Sequence, residues 1–325
     1  MKKSVVILDL GTVYLTESQQ AWLARMGEAV IYDRTSSEEM LDRLHGVEIA
    51  LTTKCPFDAA LLDQLPDLKY IGVLGTGYDM IDVAAAREGG ITVASVPTYC
   101  TAATAQHVFA LLLAMTNHVG SLSTGVRQGR WCEADDFSYW DKPLEELEGM
   151  SLGIVGFGRI GRKVAKLGDA FGMEVIVRSR SGEEFREGYV ARPLNELLGM
   201  SDVVTLHCPL TSETHQLMNE ERLALMKKGS RLINAGRGKL VDEAALAEAL
   251  RSGHLRSAAV DVLSSEPPSP DNPLLNASNC IVTPHVAWAT TASIGRLLDA
   301  VLDNLESYLK GEPKNEVLDF EKEEG

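Results

Sequence analysis

Long hydrophobic runs are missing from this sequence. Every apolar stretch is much shorter than the roughly 20 residues that a transmembrane helix requires. The N-terminal stretch from Ser4 to Leu10 is also too short for a signal peptide, and it contains Asp9. We therefore expect no membrane partner and a location in the cytoplasm.

Cysteine is scarce and scattered. No C-x-x-C spacing occurs among the five cysteines, which are Cys55, Cys100, Cys132, Cys208 and Cys280. An odd number at these spacings favours neither a disulfide framework nor a zinc site. We expect reduced thiols and no bound metal.

Basic residues are outnumbered by acidic ones. The chain has 31 Lys and Arg against 46 Asp and Glu, a formal net charge of −15 at neutral pH. Without excess positive charge, it is poorly suited to bind the phosphates of a nucleic acid, and we exclude that partner. With 325 residues, of which 45% are hydrophobic, it is long enough for two globular domains.

Short apolar runs alternate with helical patterns in both halves of the chain. This alternation predicts an α/β fold with two Rossmann-like domains, each a doubly wound parallel sheet. The predicted strands are 5–8, 29–32, 49–52, 70–74 and 91–96, followed by 152–155, 174–177, 203–206, 231–234, 258–262 and 281–283.

Two longer helical patterns set the predicted domain boundaries. A helix over 101–119 connects the two sheets, and a final helix over 292–309 has no place left in the second one. We therefore predict a discontinuous substrate-binding domain, formed by residues 1–100 and 288–325, and a dinucleotide-binding domain formed by residues 101–287.

The second domain begins with a strand that leads into a glycine-rich turn and a predicted helix over 162–171. Gly156, Gly158 and Gly161 fill the pattern G-x-G-x-x-G at this point. The first glycine permits a tight turn, the second lets backbone approach a pyrophosphate, and the third lets the helix pack closely on the strand. The helix N-terminus favours the phosphates. The pattern predicts a dinucleotide site, and a purely structural turn is the alternative.

Three charged or titratable side chains follow successive strands of this domain. Arg237 follows the strand 231–234, Glu266 follows 258–262, and His285 follows 281–283. Dinucleotides bind outside the carboxyl ends of such strands, so we expect the three residues beside the cofactor. Taken singly, a surface arginine, a solvated glutamate and a core histidine are the alternatives.

These side chains suit the reduction of a 2-oxo acid. Arginine holds a carboxylate with two parallel hydrogen bonds. Histidine can donate a proton near neutral pH, and a neighbouring glutamate stabilises the imidazolium. We predict that Arg237 binds the substrate carboxylate and that His285, assisted by Glu266, protonates the carbonyl oxygen, with hydride from a nicotinamide cofactor.

From about residue 4 to about residue 317, the chain resembles the D-2-hydroxyacid dehydrogenases. The motifs that carry the resemblance are Gly156 to Gly161, His207-Cys208-Pro209-Leu210-Thr211, Ile233 to Gly238, Asp261-Val262, Glu266-Pro267-Pro268 and Pro284-His285. The family implies the same roles for Arg237, Glu266 and His285, and D stereochemistry.

Two further segments resemble one branch of that family. Pro284 to Thr290 and Thr52-Thr53-Lys54 are similar to glycerate dehydrogenases, also called hydroxypyruvate reductases. This implies reduction of hydroxypyruvate or glyoxylate to D-glycerate or glycolate. A D-lactate-type or other D-2-hydroxyacid dehydrogenase is the alternative, and the sequence does not fix the 2-oxo acid.

The resemblance also implies sets of binding residues. The substrate set is Lys54, Gly75, Thr76, Gly77, Arg237 and His285; a glycine turn that only closes a strand is the alternative for 75–77. The cofactor set is Gly156, Gly158, Arg159, Ile160, Gly161, Arg178, Ser179, Arg180, Cys208, Pro209, Thr214, Ala235, Gly236, Asp261, His285 and Ala287.

The second strand of the dinucleotide-binding domain predicts the cofactor. NAD sites usually have an acidic residue about 20 positions after the first glycine, where it binds the ribose. Here Ser179 occupies that position between Arg178 and Arg180. A serine removes the carboxylate that would repel a 2′-phosphate, so we predict a preference for NADP. NAD remains the alternative, through Glu183 or Glu184.

The resemblance implies a homodimer formed through the helix 101–119 and the loop after it. Aromatic residues between Trp131 and Trp140 favour packing at that interface; the alternative is that one of them enters a neighbouring subunit's pocket. A corepressor-like protein that senses the dinucleotide is the alternative of another class, although no basic patch supports it. Formate oxidation is disfavoured because that branch has glutamine in place of Glu266.

Overall fold

A computed structural model describes residues 5–13, 15–26, 29–178 and 188–317. The chain divides into two compact units. Unit 1 comprises residues 1–100 and 290–325, and unit 2 comprises residues 101–289. Ser179 and Arg180, which belong to the predicted cofactor set, lie outside the described residues.

Strands and helices alternate along the described residues. The strands are β1 (Val5–Ile7), β2 (Ala29–Ile31), β3 (Ile49–Thr52), β4 (Tyr70–Val73), β5 (Thr92–Ala94), β6 (Ser151–Val155), β7 (Glu174–Arg178), β8 (Val190–Ala191), β9 (Val203–Leu206), β10 (Arg231–Asn234), β11 (Ser257–Val260) and β12 (Cys280–Val282). The helices are α1 (Glu17–Met26), α2 (Met40–Leu44), α3 (Ala59–Leu62), α4 (Val83–Glu88), α5 (Thr101–Asn117), α6 (Val119–Arg127), α7 (Arg159–Ala170), α8 (Leu194–Met200), α9 (Glu220–Leu225), α10 (Glu243–Arg251) and α11 (Thr291–Leu309).

Unit 1 is built on a parallel sheet in the order β2-β1-β3-β4-β5. The C-terminal helix α11 belongs to this unit, although nearly 200 residues separate it from β5 in the sequence. Its buried Asn304 donates a hydrogen bond to the carbonyl of Ser95, with 2.9 Å between the two atoms. Since Ser95 directly follows β5, this bond attaches α11 to the edge of the sheet.

Unit 2 is built on a parallel sheet in the order β12-β11-β10-β9-β6-β7-β8. The chain reverses its direction of winding between β6 and β9, and ligands of such sheets bind in the crevice at this reversal. In the strand register, Val155 lies opposite Leu206, and Asn234 lies opposite both Leu206 and Val260. The residues that follow these strands therefore line one edge of the sheet.

The central strands of unit 2 are apolar because helices cover both faces of the sheet. In β6, Leu152, Ile154 and Val155 are fully buried. Such strands read as short continuous apolar runs, which is the pattern that predicted them. The α/β fold with two parallel sheets is confirmed.

Three local features differ from the sequence prediction. The predicted helix 101–119 ends at Asn117, because His118 adopts a left-handed conformation with φ of 51°, and α6 starts after it. Helix α7 begins at Arg159, directly after Gly158, rather than at Arg162. The two-residue strand β8 extends the second sheet and is too short to leave a periodic pattern.

Candidate active site

The glycine turn follows β6 at the point where the sheet reverses. Gly156 has φ of +101°, a conformation that residues with a Cβ avoid. A Cβ on Gly156 would lie 2.4 Å from the backbone nitrogen of Cys208, the second residue after β9. Glycine here lets the β6 turn approach the end of β9 at the point where the sheet reverses.

The other two glycines serve different contacts. A Cβ on Gly161 would lie 2.2 Å from the carbonyl oxygen of Gly156, so this glycine permits the close packing of α7 on the turn. A Cβ on Gly158 would meet no atom within 4 Å. Gly158 is the N-cap residue of α7 and has no side chain with which to cap it, and Arg159 and Ile160 lie in the first turn. The N–H groups of such a helix N-terminus fit a pyrophosphate.

The loop after β9 is shaped by its own side chains. Thr214 donates a hydrogen bond to the carbonyl of Pro209, with 2.7 Å between the atoms, and the neighbouring Cys208 is buried. His207, which sequence reasoning left without a role, contacts the Thr205 hydroxyl at 3.0 Å through Nε2. Its Nδ1 is enclosed without a partner in the described ranges, and burial lowers the pKa of His207 to about 4. A neutral imidazole therefore lies at this edge.

A cavity of about 340 Å³ opens beside the end of β7. Arg178 and Thr214 of the predicted cofactor set line it, together with Leu194, Leu217 and Arg222. Its apolar walls suit a flat heterocycle, and its two arginines suit an anion. Arg222 was not predicted, since nothing in its surrounding sequence marks it as a ligand-binding residue.

The loop after β10 presents Arg237 at the same edge, after Ala235 and Gly236. The buried side chain of Asn234 fixes this loop, because its Oδ1 accepts from the Gly236 N–H at 3.1 Å and its Nδ2 donates to the Arg237 carbonyl at 2.9 Å. The guanidinium of Arg237 is partly exposed and contacts the Gly236 carbonyl at 3.1 Å. It can present a hydrogen-bonding fork to a carboxylate.

Glu266 and His285 lie side by side. Glu266 Oε2 is 2.6 Å from His285 Nδ1, and Glu266 Oε1 accepts from the Leu263 N–H at 2.9 Å. Partial burial opposes ionisation of Glu266, but these two hydrogen bonds outweigh it and lower the pKa of the carboxyl group. Because Glu266 engages Nδ1, it leaves Nε2 of the partly exposed imidazole as the nitrogen that can exchange a proton with a substrate.

The His285 turn is organised by Asp261, whose side chain is only 1% exposed. Its carboxylate accepts the consecutive N–H groups of Val286 and Ala287 at 3.0 and 2.8 Å, and its backbone carbonyl accepts the His285 N–H at 2.8 Å. His285 itself has φ of 54°, a conformation uncommon for a non-glycine residue. The turn therefore depends on Asp261 for its shape.

The predicted substrate residues Lys54, Gly75, Thr76 and Gly77 lie in unit 1, at the carboxyl ends of β3 and β4. The Thr76 hydroxyl donates to the Val96 carbonyl at 2.8 Å. Lys54 follows a turn held by buried Asp9, which accepts the N–H groups of Thr53 and Lys54 at 2.7 and 2.8 Å. Burial raises the pKa of Asp9 despite these bonds.

Neither a membrane-spanning helix nor a metal-binding cluster is found in the described ranges. No helix there combines the length and apolar character needed to cross a bilayer. Within the same ranges, no group of three or more His, Cys, Asp or Glu side chains is arranged to hold a metal ion.

The glycine turn, the reversal of the sheet and the Arg237, Glu266 and His285 loops define a dinucleotide-binding unit with acid–base groups at its edge. Residues 109–287 match the sequence profile described as "D-isomer specific 2-hydroxyacid dehydrogenase, NAD binding domain". The chain belongs to the D-isomer specific 2-hydroxyacid dehydrogenase family.

Individual relatives agree with this assignment. The chain is 42% identical to a hydroxypyruvate reductase of Blautia hydrogenotrophica, over 96% of this chain and 99% of the relative. It is 40% identical to a glycerate dehydrogenase of Methylorubrum extorquens, over 98% and 99% of the two chains. These homologues support a 2-oxo acid reductase.

A solved structure has the same fold. The NADPH-dependent glyoxylate/hydroxypyruvate reductase of Sinorhizobium meliloti, crystallised with NADP and malonate, matches with a TM-score of 0.84 and 29% identity. The match covers 98% of this chain and 97% of the other.

Proposed function

We propose that this protein reduces hydroxypyruvate or glyoxylate to D-glycerate or glycolate with a nicotinamide dinucleotide. The observation that carries the proposal is the 2.6 Å pairing of His285 Nδ1 with Glu266 at the sheet edge that also carries the glycine turn and Arg237. This arrangement combines a cation for the substrate carboxylate with an oriented proton donor. The names of the two bacterial relatives support the choice of substrate.

The residues of the chain have separate roles in substrate binding and proton transfer. Arg237 binds the carboxylate and orients the 2-oxo group, and in unit 1 Lys54, Gly75, Thr76 and Gly77 are proposed as further substrate contacts. When bound, the reduced dinucleotide supplies hydride to the carbonyl carbon. His285 donates the Nε2 proton to the carbonyl oxygen and becomes neutral. Glu266 stabilises the imidazolium before this transfer and keeps Nδ1 protonated after it.

We propose NADP as the preferred cofactor. Support comes from Ser179 at the position that is acidic in NAD sites, and from Arg178 and Arg222 on the wall of the cavity beside β7. The S. meliloti reductase with bound NADP is consistent with this preference. Ser179→Asp should restore the carboxylate and shift kcat/KM from NADPH towards NADH.

We also propose a homodimer in a reducing cytoplasm. Large apolar side chains are exposed on and after α6, among them Val119, Trp131, Phe137 and Trp140, with Phe137 83% and Trp140 62% exposed. A second copy of the chain would cover them. The free thiols of all five cysteines suit a reducing compartment.

The test is a panel of 2-oxo acids (hydroxypyruvate, glyoxylate, pyruvate and phosphorylated analogues) assayed with NADPH and with NADH. We expect the highest kcat/KM with hydroxypyruvate or glyoxylate and NADPH. Preference for pyruvate would favour the D-lactate-type alternative. If no 2-oxo acid is turned over, the proposal is wrong, and a dinucleotide sensor becomes the better explanation.

A further inference from the structure

His107 lies on α5 and approaches the residues that shape the catalytic turn. Its Nε2 is 3.2 Å from the hydroxyl oxygen of Thr283 and 3.4 Å from Oδ1 of Asp261. Its side chain is 21% exposed, so the imidazole is mostly buried. His107 belongs to none of the predicted catalytic, cofactor and substrate sets.

The chemistry of the three groups fixes the direction of these hydrogen bonds. The Asp261 carboxylate can only accept, and the Thr283 hydroxyl lies 2.6 Å from its Oδ1 and donates to it. The hydroxyl oxygen of Thr283 can then accept, which leaves the Nε2–H of His107 as the donor to Thr283 and Asp261. Hydrogen bonds from His107 and Thr283 and the two backbone N–H groups overcome burial and lower the pKa of Asp261.

This set of contacts connects α5 to the catalytic histidine. Asp261 holds the Val286 and Ala287 N–H groups with its carboxylate and the His285 N–H with its carbonyl. A rotation of the Asp261 carboxylate would release both side-chain bonds to the turn. His107 and Thr283 oppose that rotation because both engage Oδ1, which leaves Oδ2 directed at Ala287.

We propose that His107 is a positioning residue for hydride-coupled proton transfer. It acts through Thr283 and Asp261 to fix the turn that presents His285 to the substrate. This rests on the proposed function, because His285 is taken as the proton donor. Misplacement of a reacting group by about 1 Å can cost on the order of 100-fold in rate, so loss of one such restraint should be measurable in kcat.

The first measurement compares three variants of the full-length enzyme with saturating NADPH and hydroxypyruvate. His107→Leu removes the donor, His107→Gln places an amide N–H at the same bond count from Cβ, and Gln106→Leu changes the exposed neighbour on the same helix. We expect His107→Leu to lower kcat about tenfold while the substrate KM changes less than about twofold, since Arg237 lies on another loop. His107→Gln should recover most of kcat, and Gln106→Leu should match the wild type.

The second measurement, backbone amide exchange of the free enzyme, requires no turnover. In His107→Leu, exchange of the amides at 285–287 should rise about tenfold, while those of β6 and β9 stay at wild-type rates. If this change occurs but the wild-type enzyme reduces no 2-oxo acid, the restraint of the 285–287 turn by His107 stands, and the proposed function fails together with the catalytic part of the role.

Two results would overturn the positioning role. One is unchanged exchange at 285–287 with unchanged kcat. The other is a lower Tm with faster exchange throughout unit 2, while kcat per folded molecule stays at the wild-type value, because His107 would then be purely structural. Should His107→Leu not fold, His107→Asn replaces it in both measurements, since the shorter amide does not reach the Nε2 position.

Discussion

Each unit of the molecule contains a buried aspartate that shapes a turn at the carboxyl edge of its sheet. Asp9 in unit 1 accepts the consecutive N–H groups of Thr53 and Lys54. Asp261 in unit 2 accepts those of Val286 and Ala287. The two carboxylates thus fix the shape of two loops in the same way. We assign the loop in unit 1 to substrate binding and the loop in unit 2 to catalysis.

The surroundings of the two carboxylates differ. Thr52 donates to Asp9 at 3.1 Å, and burial prevails, so the pKa of Asp9 is raised. At Asp261 burial is again the largest effect, but His107 and Thr283 add to the backbone donors, and the pKa is lowered. The carboxylate that holds the His285 turn is therefore stabilised in its ionised form by its hydrogen-bond donors. At the Lys54 turn, the cost of burying a charge exceeds what the donors to the carboxylate contribute.

The largest effect is expected in unit 2, where the loop after β10 contacts the loop after β11. A Cβ on Gly238 would lie 1.9 Å from the carbonyl carbon of Leu263, which precedes Glu266 in the same loop. The atoms that a Cβ would meet belong to the backbone, which cannot rotate away as a flexible side chain could. Gly238→Ala should therefore lower the free energy of unfolding by more than about 3 kcal/mol. Gly120→Ala is the control, because its Cβ would meet nothing within 4 Å. Equal stability of the two variants in chemical denaturation would contradict the loop contact.

The next largest effect is expected at Asp261. Asp261→Ala leaves two turn N–H groups and the Thr283 hydroxyl without their acceptor, and His107 with Thr283 alone, so His285 should lose its orientation. We expect kcat for hydroxypyruvate to fall about 100-fold or more. The matched variant is Asp9→Ala, which removes the corresponding acceptor in unit 1. Similar kcat losses in both would show that the two turns do not differ in catalytic importance.

Asp9→Ala should instead affect substrate binding. If the Lys54 turn contacts the substrate as proposed, its disorder should raise the KM for hydroxypyruvate about tenfold and leave kcat within about threefold. Steady-state kinetics with saturating NADPH checks this. An unchanged KM would remove the Lys54 turn from the substrate site.

The smallest effect is the pH dependence of stability. A raised folded-state pKa means that the native state binds more protons, so the contribution of Asp9 to stability should decline as pH rises through its titration range. The contribution of Asp261 should stay constant above the ordinary carboxyl pKa and be lost only below it. Above the ordinary carboxyl pKa, the stability of wild type relative to Asp9→Asn should fall as pH rises, whereas its stability relative to Asp261→Asn should stay flat. Thermal denaturation measures both stability differences. If they depend on pH in the same way, the opposite directions of the two pKa changes are contradicted.

Much of the site was predictable because it depends on local signals. The alternation of apolar runs predicted both sheets, and the strand ends located Arg237, Glu266 and His285. The 2.6 Å contact between Glu266 and His285 joins residues 19 apart at neighbouring strand ends, where parallel pairing brings them together.

The supporting contacts were not predictable, because they join distant segments without a shared pattern. His107 and Thr283 are 176 positions apart and meet only when α5 packs on the second sheet. Asp9 interrupts an apolar run and gives no indication of the turn that it holds. The left-handed conformation of His118, which divides α5 from α6, likewise has no marker in the surrounding sequence.

The central claim is tested most directly by His285→Gln, with kcat for hydroxypyruvate and the Kd for NADPH measured on the same preparation. Loss of the proton donor should lower kcat by about 100- to 10,000-fold while the Kd stays within about threefold of wild type. A variant that reduces hydroxypyruvate at the wild-type rate would remove His285 from the mechanism.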